Sequence, residues 1–314
     1  MDELQDYTLP EDLAALADEY DAAVGHRDQF LWKWFHYLNP YFRLSTVEER
    51  YESKVQKDKT CLTFYVTLLD DLVDEHNDRI TFQEAAKVPF DARRVDEGRA
   101  GVDGEWLAFA RRIWEEVEES LRMAPRFREF RDLAEYDLRQ TLNAVRYAYI
   151  VNNHPYVANM TEAYAYSSHN MVLLAFADID LMHSRQFNRE ELGTLRRILW
   201  TAQKMARIGN WVSTWKRELL EGDFSSGVLV YAYENGVVSD DDLRQLWTNP
   251  TADVVESVTE RVEREDVRET LLDQWQRYYD EIERAPDMDS VDVDGLLVGM
   301  EKVMEFHLDS EGMK

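Results

Sequence analysis

Apolar residues recur at three- and four-residue spacing along nearly the whole chain, the period of an amphipathic helix. The pattern predicts helices over about 11–24, 28–38, 47–76, 103–121, 126–152, 160–183, 188–221, 226–247, 251–284 and 291–309. Thr161-Glu162 opens one of these, and Asn188-Arg189-Glu190-Glu191 resembles a capping box at the start of another. The 12 Gly and 7 Pro fall mostly between periodic segments. The most loop-like stretches are 77–102 and 285–290. No sustained two-residue alternation, internal repeat or Gly/Ser linker interrupts the pattern. One all-α domain over residues 1–314, a helical bundle, is the economical expectation.

Charge changes the picture of the surface. The chain carries 63 Asp+Glu against 36 Lys+Arg, a net charge of −27, and its cations are 27 Arg but only 9 Lys. The acids are spread along the whole length. A disordered acidic chain would lack the 9 Trp, 16 Tyr and 13 Phe found here. A folded protein with an acidic surface is expected, as halophilic cytoplasms favour, and a haloarchaeal source with it. In molar salt the Debye length falls to ~3 Å, which screens surface self-repulsion. The charge opposes nucleic-acid binding. No run of 18 apolar residues predicts a transmembrane segment. The acidic start MDELQDYTLPEDLAALADEY lacks the pattern of a signal peptide, so a cytoplasmic location is expected. The single Cys61 rules out an intramolecular disulfide and a Cys-based zinc site. HExxH, GxSxG and CxxC motifs are absent. His36, His76, His154, His169 and His307 stand singly and are read as structural.

Two constellations carry candidate chemistry. Residues 61–76, CLTFYVTLLDDLVDEH, run an apolar helix into Asp70, Asp71 and Asp74. Asp70 and Asp74 stand one turn apart on one face, where two carboxylates repel unless positive charge lies between them. Mg²⁺ is the natural hard cation for that place. Asp is frequent enough in this chain for the spacing to arise by chance, but the apolar run before it puts the acids at the end of a buried helix. Residues 207–223 read RIGNWVSTWKRELLEGD, and Asn210, Thr214 and Glu218 are spaced i, i+4, i+8. They form one stripe of amide, hydroxyl and carboxylate oxygens that could chelate Mg²⁺. The polar face of a solvated helix is the alternative. Arg217 lies beside the stripe and could reach a phosphate.

Together these residues resemble class I terpene synthases of the isoprenoid synthase superfamily. Asp70-Asp71-Leu72-Val73-Asp74 matches that family's Asp-rich DDxxD motif. Asn210, Thr214 and Glu218 match its later Asn/Asp–Ser/Thr–Glu triad (the NSE triad), in the right order and at a suitable separation. Arg217 matches the basic residue before the triad's Glu, and Glu221-Gly222-Asp223 its usual continuation. There are departures. Trp211 replaces the usual Asp after the triad Asn. The region ANMTEAYAYSSHNMV holds no diphosphate-sensing Arg, and His169 is its nearest basic group. A C-terminal Arg-Tyr pair is not clearly placed: Arg277-Tyr278 comes early, and the tail ends in Met313-Lys314.

The resemblance implies a single-domain helical bundle around a central apolar pocket, with metal helices facing across its mouth. It implies three Mg²⁺, with Mn²⁺ the alternative ion, and metal ligands Asp70, Asp71, Asp74, Asn210, Thr214 and Glu218. Asp70, Asp74, Asn210, Thr214 and Glu218 would be catalytic, and Arg217 would bind diphosphate. The substrate would be a prenyl diphosphate, C15 or C20, ionised and then cyclised or quenched to a terpene hydrocarbon or alcohol with release of diphosphate. Phe64, Tyr65, Tyr147, Trp211 and Phe306 could stabilise the cation through their ring faces, or simply pack the core. The resemblance allows a homodimer. Two other assignments are open. Squalene and phytoene synthases also use two metal helices, and Tyr164-Ala165-Tyr166 is similar to a stretch of theirs, although their second motif is Asp-rich. A scaffold or non-catalytic prenyl diphosphate-binding protein is the other.

Overall fold

The computed structural model describes residues 4, 6–25 and 27–311. Among the described residues every regular element is a helix, so the all-α expectation holds. The main helices are α1 (Glu11–Ala23), α2 (Gln29–Leu38), α3 (Glu52–Asp74), α4 (Arg79–Ala85), α5 (Gly104–Arg122), α6 (Phe127–Asn153) and α7 (Met160–Ala165). They continue with α8 (Leu173–Met182), α9 (Leu192–Glu221), α10 (Gly227–Glu234), α11 (Asp240–Thr248), α12 (Ala252–Arg264), α13 (Val267–Glu283) and α14 (Val293–Asp309).

The hydrophobic period misses several boundaries, each for a local reason. The expected 160–183 helix is broken by a 3₁₀ turn at Ser167–Met171 and by Val172 at φ 60°. There Ser167 Oγ accepts from Arg207 Nε at 3.0 Å, and Ser168 Oγ makes no hydrogen bond. Asn159, not Thr161, caps α7, accepting from the Glu162 amide at 2.9 Å. The expected 226–247 helix divides at Gly236, whose φ of 75° suits glycine. Beyond it Ser239 and Asp242 form a capping box that opens α11. The expected 251–284 helix divides at Asp266, φ 50°. The 77–102 loop contains α4, capped by Asp78, which accepts from the Ile80 and Thr81 amides. The expected capping box at Asn188 is half made. Asn188 accepts from the Glu190 amide, but Glu191 accepts instead from the Asp289 and Ser290 amides.

The chain divides into two compact units. The first comprises Met1–Leu142, Val172–Leu192 and Met288–Leu296. Its centre is α3, which packs on α2, α4, α5 and α8. Phe64 of α3 stacks on Trp32 at 3.8 Å, and Tyr20 meets Trp32 edge-on at 4.9 Å. One ion pair is fully inside: Lys59 Nζ donates to Asp180 Oδ2 at 2.8 Å, and Asp180 also accepts from the Leu44 amide. Burial pushes the Lys59 ammonium down and the Asp180 carboxyl up from their ordinary values. A second buried carboxylate, Glu84, ties the loop that follows α4. It accepts from the Asp96 amide at 2.9 Å and from Arg99 at 2.8 Å, and it pairs with Lys87.

The second unit comprises Asn143–Met171, Gly193–Asp287 and Leu297–Lys314. Within it α10 packs on α7, α12 and α13. Trp211 of α9 is fully buried against Tyr164, 5.6 Å between rings, and Tyr164 meets Tyr278 edge-on at 6.0 Å. Met313 and Lys314 lie outside the described residues. No helix among the described residues is long and apolar enough to cross a membrane.

Candidate functional site

In the first unit Asp70, Asp71 and Asp74 occupy the last turns of α3, which carries no basic residue there. The C-terminus of a helix is its negative end, so three carboxylates are unfavourable in that place without added positive charge. Asp70 is half-buried, Asp71 buried and Asp74 exposed. Positive charge reaches Asp71 from the segment between α1 and α2. Arg27 Nε donates to both Asp71 oxygens, at 3.1 and 3.2 Å, and Arg27 Nη2 donates to Oδ1 as well. Tyr20 donates its hydroxyl proton to Asp71 Oδ2 at 2.6 Å. Burial works against the Arg27 charge, but Asp71 and, more weakly, Asp70 hold the guanidinium pKa above its ordinary value. Burial and then Asp71 raise the Tyr20 phenol. Both oxygens of Asp71 are therefore engaged by side chains.

In the second unit α9 carries Asn210, Thr214 and Glu218 on one stripe, as the spacing requires. Thr214 Oγ1 lies 2.7 Å from both the Asn210 carbonyl oxygen and Glu218 Oε1. A hydroxyl has one proton, so it cannot donate to both acceptors at once. Glu218 is buried, and its Oε2 has no hydrogen-bond partner. Burial raises the Glu218 carboxyl above its ordinary value and the nearby Asp223 adds to the effect, while Arg207 and Thr214 oppose it. The stripe is thus rich in hard oxygen donors of the kind a Mg²⁺-type cation takes, with Arg207 the basic group beside it. Among the described residues no three His, Cys, Asp or Glu side chains form a metal cage by themselves. A cation here would draw on amide and hydroxyl oxygens too.

The sequence reading did not single out Arg207. It is buried, one turn before Asn210 on the same face, and it donates to Asn210 Oδ1 at 2.7 Å and to Ser167 Oγ at 3.0 Å. A diphosphate-sensing Arg is expected further upstream, which passes over this one, although its i−3 spacing from Asn210 is visible in the sequence. Arg217, expected at the stripe, pairs with Glu221 at 2.7 Å. His169 lies near Gln203, Nδ1 to Nε2 3.3 Å, and against the Trp200 ring. Arg277 is close enough to Tyr164 to lower its phenol, against burial that raises it. Lys204 Nζ sits 4.9 Å above the Tyr278 ring.

The aromatic candidates are distributed among both units. Phe64 stacks in the first unit's core, and Tyr65 donates its hydroxyl to the Ala85 carbonyl at 2.8 Å. Tyr147 meets Tyr166 edge-on at 5.4 Å, Trp211 lies beside the triad, and Phe306 is buried.

A family model described as terpene synthase family 2, C-terminal metal binding, matches residues 61–246, more than half of the chain. That stretch contains both groups of candidate ligands. A comparison with curated proteins finds no match.

Proposed function

Because the chain belongs to terpene synthase family 2, we propose that it is a Mg²⁺-dependent class I terpene synthase acting on a prenyl diphosphate, C15 or C20. The observation that best supports this is Glu218, buried beside the Thr214 hydroxyl with one oxygen unpartnered and its carboxyl raised by burial and by Asp223. Asn210, Thr214 and Glu218 would hold one Mg²⁺, Asn210 once Arg207 releases its Oδ1; Asp70 and Asp74 would hold two more. Asp71, paired with Arg27, would become a ligand only if that pair opened. Mn²⁺ is the alternative ion.

The bound ions would supply Lewis-acid neutralisation of the leaving diphosphate. Arg207 would donate charge-assisted hydrogen bonds to phosphate oxygens from beside Asn210. Arg217 would do the same after releasing Glu221. Ionisation breaks the bond between C1 and the bridging oxygen, both electrons leave with the diphosphate, and an allylic cation remains. The ring faces of Tyr164 and Trp211 would stabilise that cation by about 0.5–2 kcal/mol each. Exclusion of water lets it cyclise before it loses a proton or is captured as an alcohol. The proposal carries with it one synthase-like domain over residues 1–314, a salt-rich haloarchaeal cytoplasm and a homodimer.

The test is incubation of the protein with Mg²⁺ and C10 to C25 prenyl diphosphates in high KCl, followed by mass spectrometry of a hexane extract. Asp70→Ala and Glu218→Ala serve as controls. A terpene hydrocarbon or alcohol that both variants fail to make is the expected result. A doubled chain would point to squalene- or phytoene-type coupling. Diphosphate binding without any product would identify a non-catalytic member of the family.

A further inference from the structure

A cleft in the first unit includes none of the candidate ligands described above. It has a volume of about 60 Å³ and is lined from α5, α6, α3 and α8. Neither α9 nor any other part of the second unit contributes to its lining. Its one residue from α3, Leu62, stands eight positions before Asp70, about 12 Å along the helix. The cleft is therefore not a space between the two metal helices.

Its walls are apolar. Leu62, Leu121, Leu138 and Ile179 line it and are buried, and Trp114 and Phe127 are half-buried. Two small residues leave the space open: Ala134 of α6 and Ala175 of α8 both line it, and a larger side chain at either place would reach in. At 10–15 Å³ for each water-sized sphere, the cleft holds about four to six of them, which suits an apolar body of about eight carbons. Apolar walls offer water few partners, so such a space favours an apolar occupant.

The charges of the lining select the head group. They are Glu118, Arg131 and Glu135. Arg131 Nε donates to Glu135 Oε1 at 2.8 Å, and Glu118 pairs with Arg122 at 2.6 Å. Glu135 first, then Asp132 and Glu118, hold the Arg131 guanidinium above its ordinary value. An anionic head would meet two carboxylates against one guanidinium that is already paired, in a chain of net charge −27. A cationic head would meet Arg131 itself. A neutral hydroxyl meets neither difficulty, and it can accept from an Arg131 N–H while donating to Glu135.

We propose that this cleft is an accessory binding site for a neutral amphiphile, with an apolar body of about eight carbons among Trp114, Leu121, Phe127 and Leu138 and a hydroxyl at Arg131 and Glu135. The inference stands apart from the synthase reading.

The test is calorimetric titration of the full chain in KCl with 1-octanol. Wild type is expected to take up one equivalent. 1-Hexanol, two methylenes shorter, should bind about fifteenfold more weakly, since each buried methylene is worth about fourfold. Octanoate and octylammonium should each bind about tenfold more weakly or worse, because a charged head is costly to bring out of water. Ala134→Phe fills the cleft and should abolish uptake. Ala134→Met, a smaller plug, decides the matter if Ala134→Phe does not fold. No uptake of 1-octanol by wild type overturns the proposal. Undiminished uptake in a folded plug variant places the alcohol elsewhere and overturns it as well. Equal affinity for 1-hexanol and 1-octanol overturns the apolar body, and octanoate or octylammonium binding as tightly as 1-octanol overturns the neutral head.

Discussion

Lys59 and Asp180 show what a single buried charge requires of its neighbours. Both side chains are 0% exposed, so each depends on the other. Lys59→Met should destabilise the protein by about 3–5 kcal/mol, because it leaves a buried carboxylate without its cation. Lys59→Met with Asp180→Leu should recover most of that loss in a denaturant titration. Equal losses in the single and double variants would show that shape, not charge, sets the cost. Glu84 gives a pH signature. Burial alone would raise its carboxyl, but the Asp96 amide, Lys87 and Arg99 bring it down to about 2. A carboxyl with a lowered folded pKa stabilises above its unfolded value, and that contribution fades as pH falls from about 4.5 towards 2. Glu84→Gln should therefore melt lower than wild type at neutral pH, and the gap should close over that acid range. A gap independent of pH would mean that the carboxylate charge contributes nothing. At this scale the sequence revealed what helical spacing alone determines: Asp70 with Asp74, and Asn210 with Thr214 and Glu218. It did not reveal Arg27, because 44 residues separate it from Asp71 and only tertiary folding brings them together. Arg207 was legible in principle, since i−3 from Asn210 is a helical neighbour, but its position alone does not distinguish it from any other arginine on a helix.

Helix type was legible for nearly every element, and helix ends were not. A hydrophobic period continues smoothly through a one-residue break, so Val172, Gly236 and Asp266 leave no trace in it. Local chemistry marks two of them: a Ser and Asn cluster before Val172, and at Gly236 an Asn-Gly pair followed by the Ser239–Asp242 capping box; Asp266 sits among charged residues without such a marker. The start of α10 offers a test. Gly227→Ala places a methyl group into the Trp211 indole. Overpacking of this kind costs about 1–3 kcal/mol, and thermal melting should show a clear fall. An unchanged melting temperature would mean that the indole moves aside freely.

At the scale of the molecule, net charge governs the response to salt. With −27 on 314 residues, self-repulsion opposes the compact state at low ionic strength. Raising KCl from ~0.1 M to molar levels shortens the Debye length from ~10 Å to ~3 Å. The melting temperature should climb over that interval. A flat or falling curve would count against an acidic surface suited to salt. The fold class was legible here too, but the division of the chain was not. The two compact units interleave along the sequence: Val172–Leu192 and Met288–Leu296 belong to the first, and Leu297–Lys314 to the second. Ser45 accepts from the Asp292 amide across 247 residues at 2.8 Å, and Glu191 accepts from the Asp289 amide. A ribosome delivers such a chain from its N-terminus, and neither unit has all its parts until residues 288 and beyond have emerged. The nascent chain must therefore wait, partly assembled and with apolar helices uncovered, so its biosynthesis favours slow release or chaperone shelter over stepwise domain folding.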